Sequence, residues 1–221
     1  MNPTVRPDGG GGRPIDALLA GFVAGTLDPY MHALIGSHLT LSDANRGFVR
    51  ALEAEAGAAL EEIDAPKPFR PARDHVLAAI FAGGYYGAPR PPARDPEIPE
   101  PLFRLVGRGV DSMPWKMRAP GIKAHVLHDD DGVEASFLSV RPGWSAPAHT
   151  HGGVEVTLVL RGAFSEKSGT YARGDILIAD QTVDHHPIAD PEAGCVCFAV
   201  TEGSLKMTGP VLGLLQRMFG R

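Results

Sequence analysis

The spacing of apolar positions changes about midway along the chain. In the first part they recur every three or four residues. Ile15, Leu18, Leu19, Phe22 and Val23 mark one helix, which Gly25-Thr26 ends. Asp28 caps a second helix with Pro29 in its first turn, running through Met31, Leu34, Ile35 and His38. A third spans about Asp43 to Ile63. Its apolar side carries Phe48, Leu52, Ala56, Ala59, Leu60 and Ile63, and its solvated face Glu53, Glu55, Glu61 and Glu62. A short helix from Asp74 to Phe81 follows the proline-rich run Pro66 to Pro71. Leu18, Phe22, Leu34, Phe48 and Leu52 are the expected core of this helical head.

Gly83 to Pro101 interrupts the pattern. Its prolines remove backbone donors and fix φ, so neither a helix nor an inner strand is expected there. Beyond it the period becomes two. Val133 to Val140, Glu155 to Leu160, Asp175 to Ala179 and Cys195 to Val200 read as strands separated by Gly, Pro and Asp turns. Val211 to Phe219 is a candidate closing helix.

Four side chains in the strand-rich part carry the clearest chemistry: His149, His151, Glu155 and His185. Two residues apart on a strand, His149 and His151 point to one face. Gly152-Gly153 supplies a turn, so a hairpin can bring Glu155 to the same point, and His185 arrives from a later segment. In the strand that follows, Glu155, Thr157 and Val159 share one face and Val156, Leu158 and Leu160 the other. Three imidazoles and a carboxylate form a complete inner shell for one divalent first-row metal. His186, Arg161, Asp184 and Trp144 are candidates for a supporting role around it, while His125 and His128, beside an acidic turn, are expected to be exposed.

Composition narrows the setting. The chain has 221 residues, 43% hydrophobic and 21% charged, which suits one large or two small globular domains. No apolar run is long enough to span a bilayer, and the glycine-rich start lacks a signal core, so a floppy tail is expected. A net charge of -5 argues against nucleic acid as a direct partner. Two cysteines, Cys195 and Cys197, make no secreted disulfide framework, and the cytoplasm is the expected compartment. On a strand their thiols share a face with Ala199, opposite Val196, Phe198 and Val200. The simplest reading is a pair of small buried hydrophobes. Strand geometry sets their Cα atoms near the upper limit for a disulfide.

The run from Gly143 to Gly162 resembles the first cupin motif, G-x5-H-x-H-x3-E-x6-G, at every defined position. The second motif, G-x5-P-x-G-x2-H-x3-N, is matched at Gly174 and His185, with Asp180, Thr182 and Ala189 at its Pro, Gly and Asn positions. Taken with the head, the chain resembles the ChrR-type anti-sigma factors. The resemblance runs through Asp16 to Leu27, His38-Leu-Thr-Leu41, Trp115, the His149 to Gly162 motif, Gly174 to Gln181 and the Cys195-Val-Cys197 pair.

That resemblance implies an α+β chain: a small N-terminal helical bundle followed by a jelly-roll cupin β-barrel. Residues 1–13 would be a disordered tail, 14–83 an anti-sigma-like helical domain, 84–101 a Pro-rich linker and 102–221 a metal-binding cupin domain. It also implies an extracytoplasmic-function sigma factor as partner of the N-terminal helices, and a barrel that senses oxidative stress or a small ligand. Cys195 and Cys197 would then be candidate redox-responsive residues. One departure stands out. The family's helical domain binds zinc through an early His and a later His-x3-Cys-x2-Cys; here Arg13, Ser42 and Asn45 replace three ligands and leave His38 alone. One imidazole cannot hold zinc, so no metal is expected in the head.

One divalent metal per chain is expected in the barrel, zinc first, with iron, manganese and nickel as alternatives. Zinc held by four protein ligands would be a closed structural or regulatory site. Iron, manganese or nickel would leave open positions for chemistry, and the alternative function is a metal-dependent dioxygenase acting on a small diketone or aromatic, with the head serving homodimerisation. A third option is a binding module that has neither partner nor turnover.

Overall fold

The computed structural model describes residues 13–64, 72–82 and 95–208. The N-terminal tail before Arg13, the proline-rich run 65–71, most of the expected linker and the expected Val211 to Phe219 helix lie outside the described residues.

Among the described residues four helices come first: α1 (Pro14–Ala24), α2 (Pro29–Leu41), α3 (Arg46–Glu61) and α4 (Ala72–Ala82). Local chemistry sets their ends. Pro14 starts α1, the Asp16 carboxylate accepts from the Arg13 backbone N–H and guanidinium at 2.9 Å, and Gly25 closes the helix at φ 66°. Asp28 caps α2 by accepting from the backbone N–H groups of Tyr30 and Met31 at 2.9 and 3.0 Å. Such a cap contributes about 1 kcal/mol, less than one fully buried Leu, so packing decides the arrangement.

A further helix, α5 (Glu100–Val106), was not expected, because it begins inside the proline-rich stretch. Pro101 sits in its first turn, where a missing N–H costs no intrahelical bond. Leu102 and Phe103 are buried, and Gly36 lets α2 approach: a Cβ there would stand 3.3 Å from Pro101 Cγ. The segment just before α5 is tied down as well. Arg173 donates to the carbonyls of Pro96 and Glu97 at 2.9 Å, and Arg161 pairs with the Glu97 carboxylate at 3.0 Å.

Ten strands follow among the described residues: β1 (Lys116–Ala119), β2 (Ile122–Asp130), β3 (Val133–Val140), β4 (His149–His151), β5 (Glu155–Glu166), β6 (Gly169–Ala172), β7 (Ile176–Ala179), β8 (Ile188–Ala189), β9 (Cys195–Glu202) and β10 (Leu205–Met207). The main antiparallel sheet runs β1-β2-β3-β9-β5-β6, with β7 and β8 also pairing to β5. β5 is longer than its hydrophobic run predicted. It bulges between Val159 and Arg161 and turns at Gly162, whose φ is 69° and where a Cβ would collide with the Gly194 carbonyl. The terminal glycine of the first motif therefore permits a bend, and past it β5 pairs with β6 and β8.

The expected hairpin between β4 and β5 does not form. β4 pairs with β10, and β5 takes β9 and β7 as neighbours. Gly152 and Gly153 press against the β9–β10 turn instead. A Cβ on Gly153 would lie 2.8 Å from the Glu202 carbonyl oxygen, so the pair of glycines makes a close backbone crossing.

The sheet has two cores. On one side Val156, Leu158 and Leu160 of β5, Val196, Phe198 and Val200 of β9, and Ala135 and Phe137 of β3 join Leu19, Met31, Leu34, Ile35, Val49, Leu102 and Phe103 of the helices in a single cluster. On the other, Val159, Phe164, Leu177, Ala189, Cys195 and Cys197 form the barrel interior. Among the described residues the head thus has no separate core; it completes one on the outer face of the barrel. Phe48, expected inside, is 39% exposed with the Arg13 guanidinium 5.9 Å from its ring centroid. Ala56, Ala59, Leu60 and Ile63 are exposed too, on a helix whose main packing partner is α1. His125 and His128 are half-buried rather than exposed, and His128 stacks on Tyr30 of α2 at 5.0 Å between centroids.

His38 fastens α2 to the barrel. Its Nδ1–H donates to the Gly174 carbonyl at 2.7 Å, and its Nε2 accepts from Asn45 Nδ2 at 2.9 Å. Burial holds its pKa below the ordinary value, partly offset by the Gly174 carbonyl and Asp175. The unfolded chain therefore takes up a proton that the folded chain resists. Stability from neutral His38 is complete above about pH 6.5 and is lost as pH falls below it. We expect wild type to exceed His38→Gln in Tm by about 2–4 °C at pH 7.5, as one buried hydrogen bond implies. By pH 5.5 that gap should narrow; calorimetric melts showing a constant gap would contradict the assignment.

Candidate metal centre

β4 is only three residues long, yet it places two histidines. His149 and His151 are both buried, flanking Thr150, whose hydroxyl donates to the Gln181 carbonyl at 3.1 Å. His185 is brought alongside by a two-way backbone bridge: His149 N–H donates to the His185 carbonyl at 3.2 Å, and His185 N–H to the His149 carbonyl at 3.1 Å. Glu155 opens β5 opposite Thr201 of β9 and Ala179 of β7. All four predicted ligands converge, their ligand atoms lying within 4.8 Å of one another.

The surrounding hydrogen bonds orient each group. Pro147 O accepts from His149 Nδ1–H at 2.7 Å, which leaves Nε2 with the free lone pair. Glu155 accepts from the Thr157 hydroxyl on Oε1 at 3.2 Å and from the Thr201 hydroxyl on Oε2 at 3.0 Å. His185 Nδ1 faces Oε2 of Glu166 at 3.4 Å, and both side chains are nearly inaccessible to water. That imidazole holds the Glu166 carboxyl below its usual range, against the opposing effect of burial. A buried carboxylate behind a ligating imidazole fixes its tautomer and raises its basicity.

His151 Nε2 and His185 Nε2 are 2.9 Å apart, and His151 Nε2 is 3.5 Å from Glu155 Oε2. Burial lowers the pKa of both His149 and His151, so their neutral, lone-pair-bearing forms are favoured. The Nε2 atoms of His151 and His185, aimed at one another, are better satisfied by a shared cation. Ligands on a tetrahedral ion at 2.0–2.1 Å stand about 3.3 Å apart, close to the spacing seen here. The donor set fits a divalent first-row metal.

The other sequence candidates lie elsewhere. Arg161 pairs with Glu97, Asp184 accepts from the Thr208 hydroxyl at 2.7 Å, His186 is exposed, and Trp144 is 43% exposed and packs on Gly121. Sequence reasoning missed Glu166 and Thr201. Each sits beyond the run read as strand, Glu166 past the β5 bulge and Thr201 past Val200. The clue was available for Thr201, which follows Cys195, Cys197 and Ala199 in strict alternation.

Those two cysteines are free, buried and on the interior face. The hydrogen bond with Cys195, and then burial, pushes the Cys197 thiol well above its usual pKa. They line a cavity of about 500 Å³ whose polar end is formed by His149, Glu155 and His185.

Comparison with known proteins agrees with this architecture. The ChrR cupin-like domain family matches residues 106–205. The anti-sigma-E factor ChrR of Cereibacter sphaeroides is 35% identical over 207 residues, covering 92% of this chain and 95% of the relative. This chain belongs to the ChrR anti-sigma factor family. A ChrR crystal structure from Rhodobacter sphaeroides, in complex with SigE, superposes with a TM-score of 0.71 at 34% identity, covering 85% of this chain and 96% of that one. The likeness spans head and barrel alike, so the family assignment does not rest on the cupin motif alone.

Elemental analysis of the ChrR-family protein described here should give one divalent metal per chain, and His151→Ala should lose it. Glu166→Gln should retain the fold but bind the metal about ten- to a hundred-fold more weakly in chelator competition. Wild-type affinity in Glu166→Gln would show that the carboxylate has no part in the site.

Proposed function

We propose that this protein is an anti-sigma factor. Its N-terminal helices sequester an extracytoplasmic-function sigma factor in the cytoplasm, and its metal-loaded barrel, with zinc as the expected ion, senses oxidative stress or a small ligand. The observation that carries the sigma-binding reading is α4. Every described side chain from Arg73 to Ala82 is exposed, including Ile80 at 64% and Phe81 at 81%. An isolated helix of 11 residues is marginal in water, and its apolar residues have no cover among the described residues. With Leu60 and Ile63 at the end of α3, 67% and 64% exposed, they offer two apolar surfaces to a partner. The relative crystallised with SigE supports the same reading.

Loss of the family's head zinc ligands is compatible with this role. His38 and Asn45, at two of the four ligand positions, are joined by a hydrogen bond, and His38 also reaches Gly174. The head is then held by the barrel rather than by an ion. A signal in the barrel shifts sigma binding only if it favours the free or the bound state. The shared helix–sheet core gives that difference a physical route, since α2 packs on β5 and β9, whose opposite faces carry Glu155 and Thr201.

The test is binding to the extracytoplasmic-function sigma factors of the same organism. Purified wild type should form a stable complex with one of them. The double variant Ile80→Asp/Phe81→Asp should weaken binding at least about thirty-fold, as loss of a central apolar anchor does. Because both side chains are exposed, its Tm should stay within about 2 °C of wild type. Unchanged affinity in calorimetric titration would remove α4 from the interface, and no complex with wild type would overturn the proposal.

A further inference from the structure

The cavity beside the metal centre is not needed to hold an ion. Three of the four ligands, His149, Glu155 and His185, line it, and its volume of about 500 Å³ is typical of sites for small organic molecules. Leu138, Val140, Phe164, Leu177, Cys195 and Cys197 make its walls, so most of what a guest would touch is carbon or thiol sulfur.

Several of the polar groups in the lining are already engaged. Arg118 donates two hydrogen bonds to Glu134, at 2.6 and 2.7 Å, and the Ser136 hydroxyl donates to the same carboxylate at 2.9 Å. The hydroxyls of Thr157 and Thr201 are committed to Glu155. Charge points the same way. The lining holds one arginine against the carboxylates of Asp129, Glu134 and Glu155, so a bound dication brings it only to neutrality. Nothing here would clamp an anion, and a carboxylate guest would lose its hydration without gaining a partner cation of its own.

We propose that the barrel is a receptor for an uncharged, mostly apolar small molecule carrying one carbonyl or hydroxyl oxygen. The oxygen lies at the His149–Glu155–His185 end and the hydrocarbon along Phe164, Leu177 and the two cysteines. Bound there, it contacts the interior face of β5 and β9, directly behind the residues on which α2 packs. This names the chemical class of the signal and, as a signal, presupposes the anti-sigma role proposed above. As a binding event it presupposes only the metal, so it is tested without a sigma factor.

The probes are 2-butanone, 2-hexanone, 2-octanone and octanoate, titrated calorimetrically into full-length zinc-loaded protein. Affinity should rise about four-fold per added methylene from butanone to octanone, the gain expected for burying each CH₂. Octanoate should bind at least ten-fold more weakly than 2-octanone. Ala199→Leu, which fills the cavity from the β9 side, should lose at least ten-fold in octanone affinity with metal content unchanged. The ketone–carboxylate comparison needs no variant, so a poorly folding Ala199→Leu leaves the test intact. Octanoate binding as tightly as 2-octanone, ketone affinity independent of chain length, or no ketone binding at all would each overturn the proposal. A metal-loaded protein that bound its sigma factor but no ketone would refute this ligand class and leave the anti-sigma role standing.

Discussion

Alternation along β5 and β9 is the constraint on which the rest of the molecule depends. These paired strands are apolar on both faces, but the faces serve different ends. Val156, Leu158, Leu160, Val196, Phe198 and Val200 bury the helices, while Glu155, Thr157, Cys195, Cys197 and Thr201 look into the barrel. A slip of one residue in β5 would turn a carboxylate toward the helices and a valine into the site. Register is therefore enforced from both sides, by the helix-side core and by the Thr201–Glu155 hydrogen bond. The candidate metal centre and the head are separated by the thickness of one sheet.

That arrangement accounts for how the head stays in place without the family's thiolate ligands. Ser42 and Asn45 cannot replace cysteines around zinc, but Asn45 can donate to His38, and His38 can donate to a barrel carbonyl. Gly174 makes this approach feasible. At φ 91° it adopts a backbone conformation that suits glycine, and a Cβ there would sit 3.1 Å from Leu41 Cβ. The second cupin motif's first glycine thus serves docking of the head. His128 on Tyr30, and Arg173 on the segment entering α5, add contacts across the same boundary.

Much of this was legible in the sequence, and the parts that were not share a cause. The start of α2 at Asp28-Pro29, the strand at Val133 to Val140 and the set of four convergent ligands follow from spacing and local chemistry. What stayed hidden depended on contacts between distant segments. The partner of β4 is β10, some fifty residues on, and local alternation cannot distinguish it from β5. Phe48 has helical spacing but no surface to cover it, and His38 looked solitary because Gly174 is remote in sequence. Glu166 lies beyond a bulge that reset the inward and outward sense of β5, so its place behind His185 was unreadable from period two. The edge strands β1 and β6 were missed for a plainer reason: charged and small residues on exposed edges give little hydrophobic signal.

The central claim is that one two-faced layer joins the ligand cluster to the helices. Native-state hydrogen exchange, comparing zinc-loaded with chelated protein, tests it most directly. The account predicts that chelation lowers protection in β5 and β9 and, together with them, in the amides of α2 from Leu34 to Leu39. Protection lost only around His149 to His151 and His185, with α2 unchanged, would contradict it.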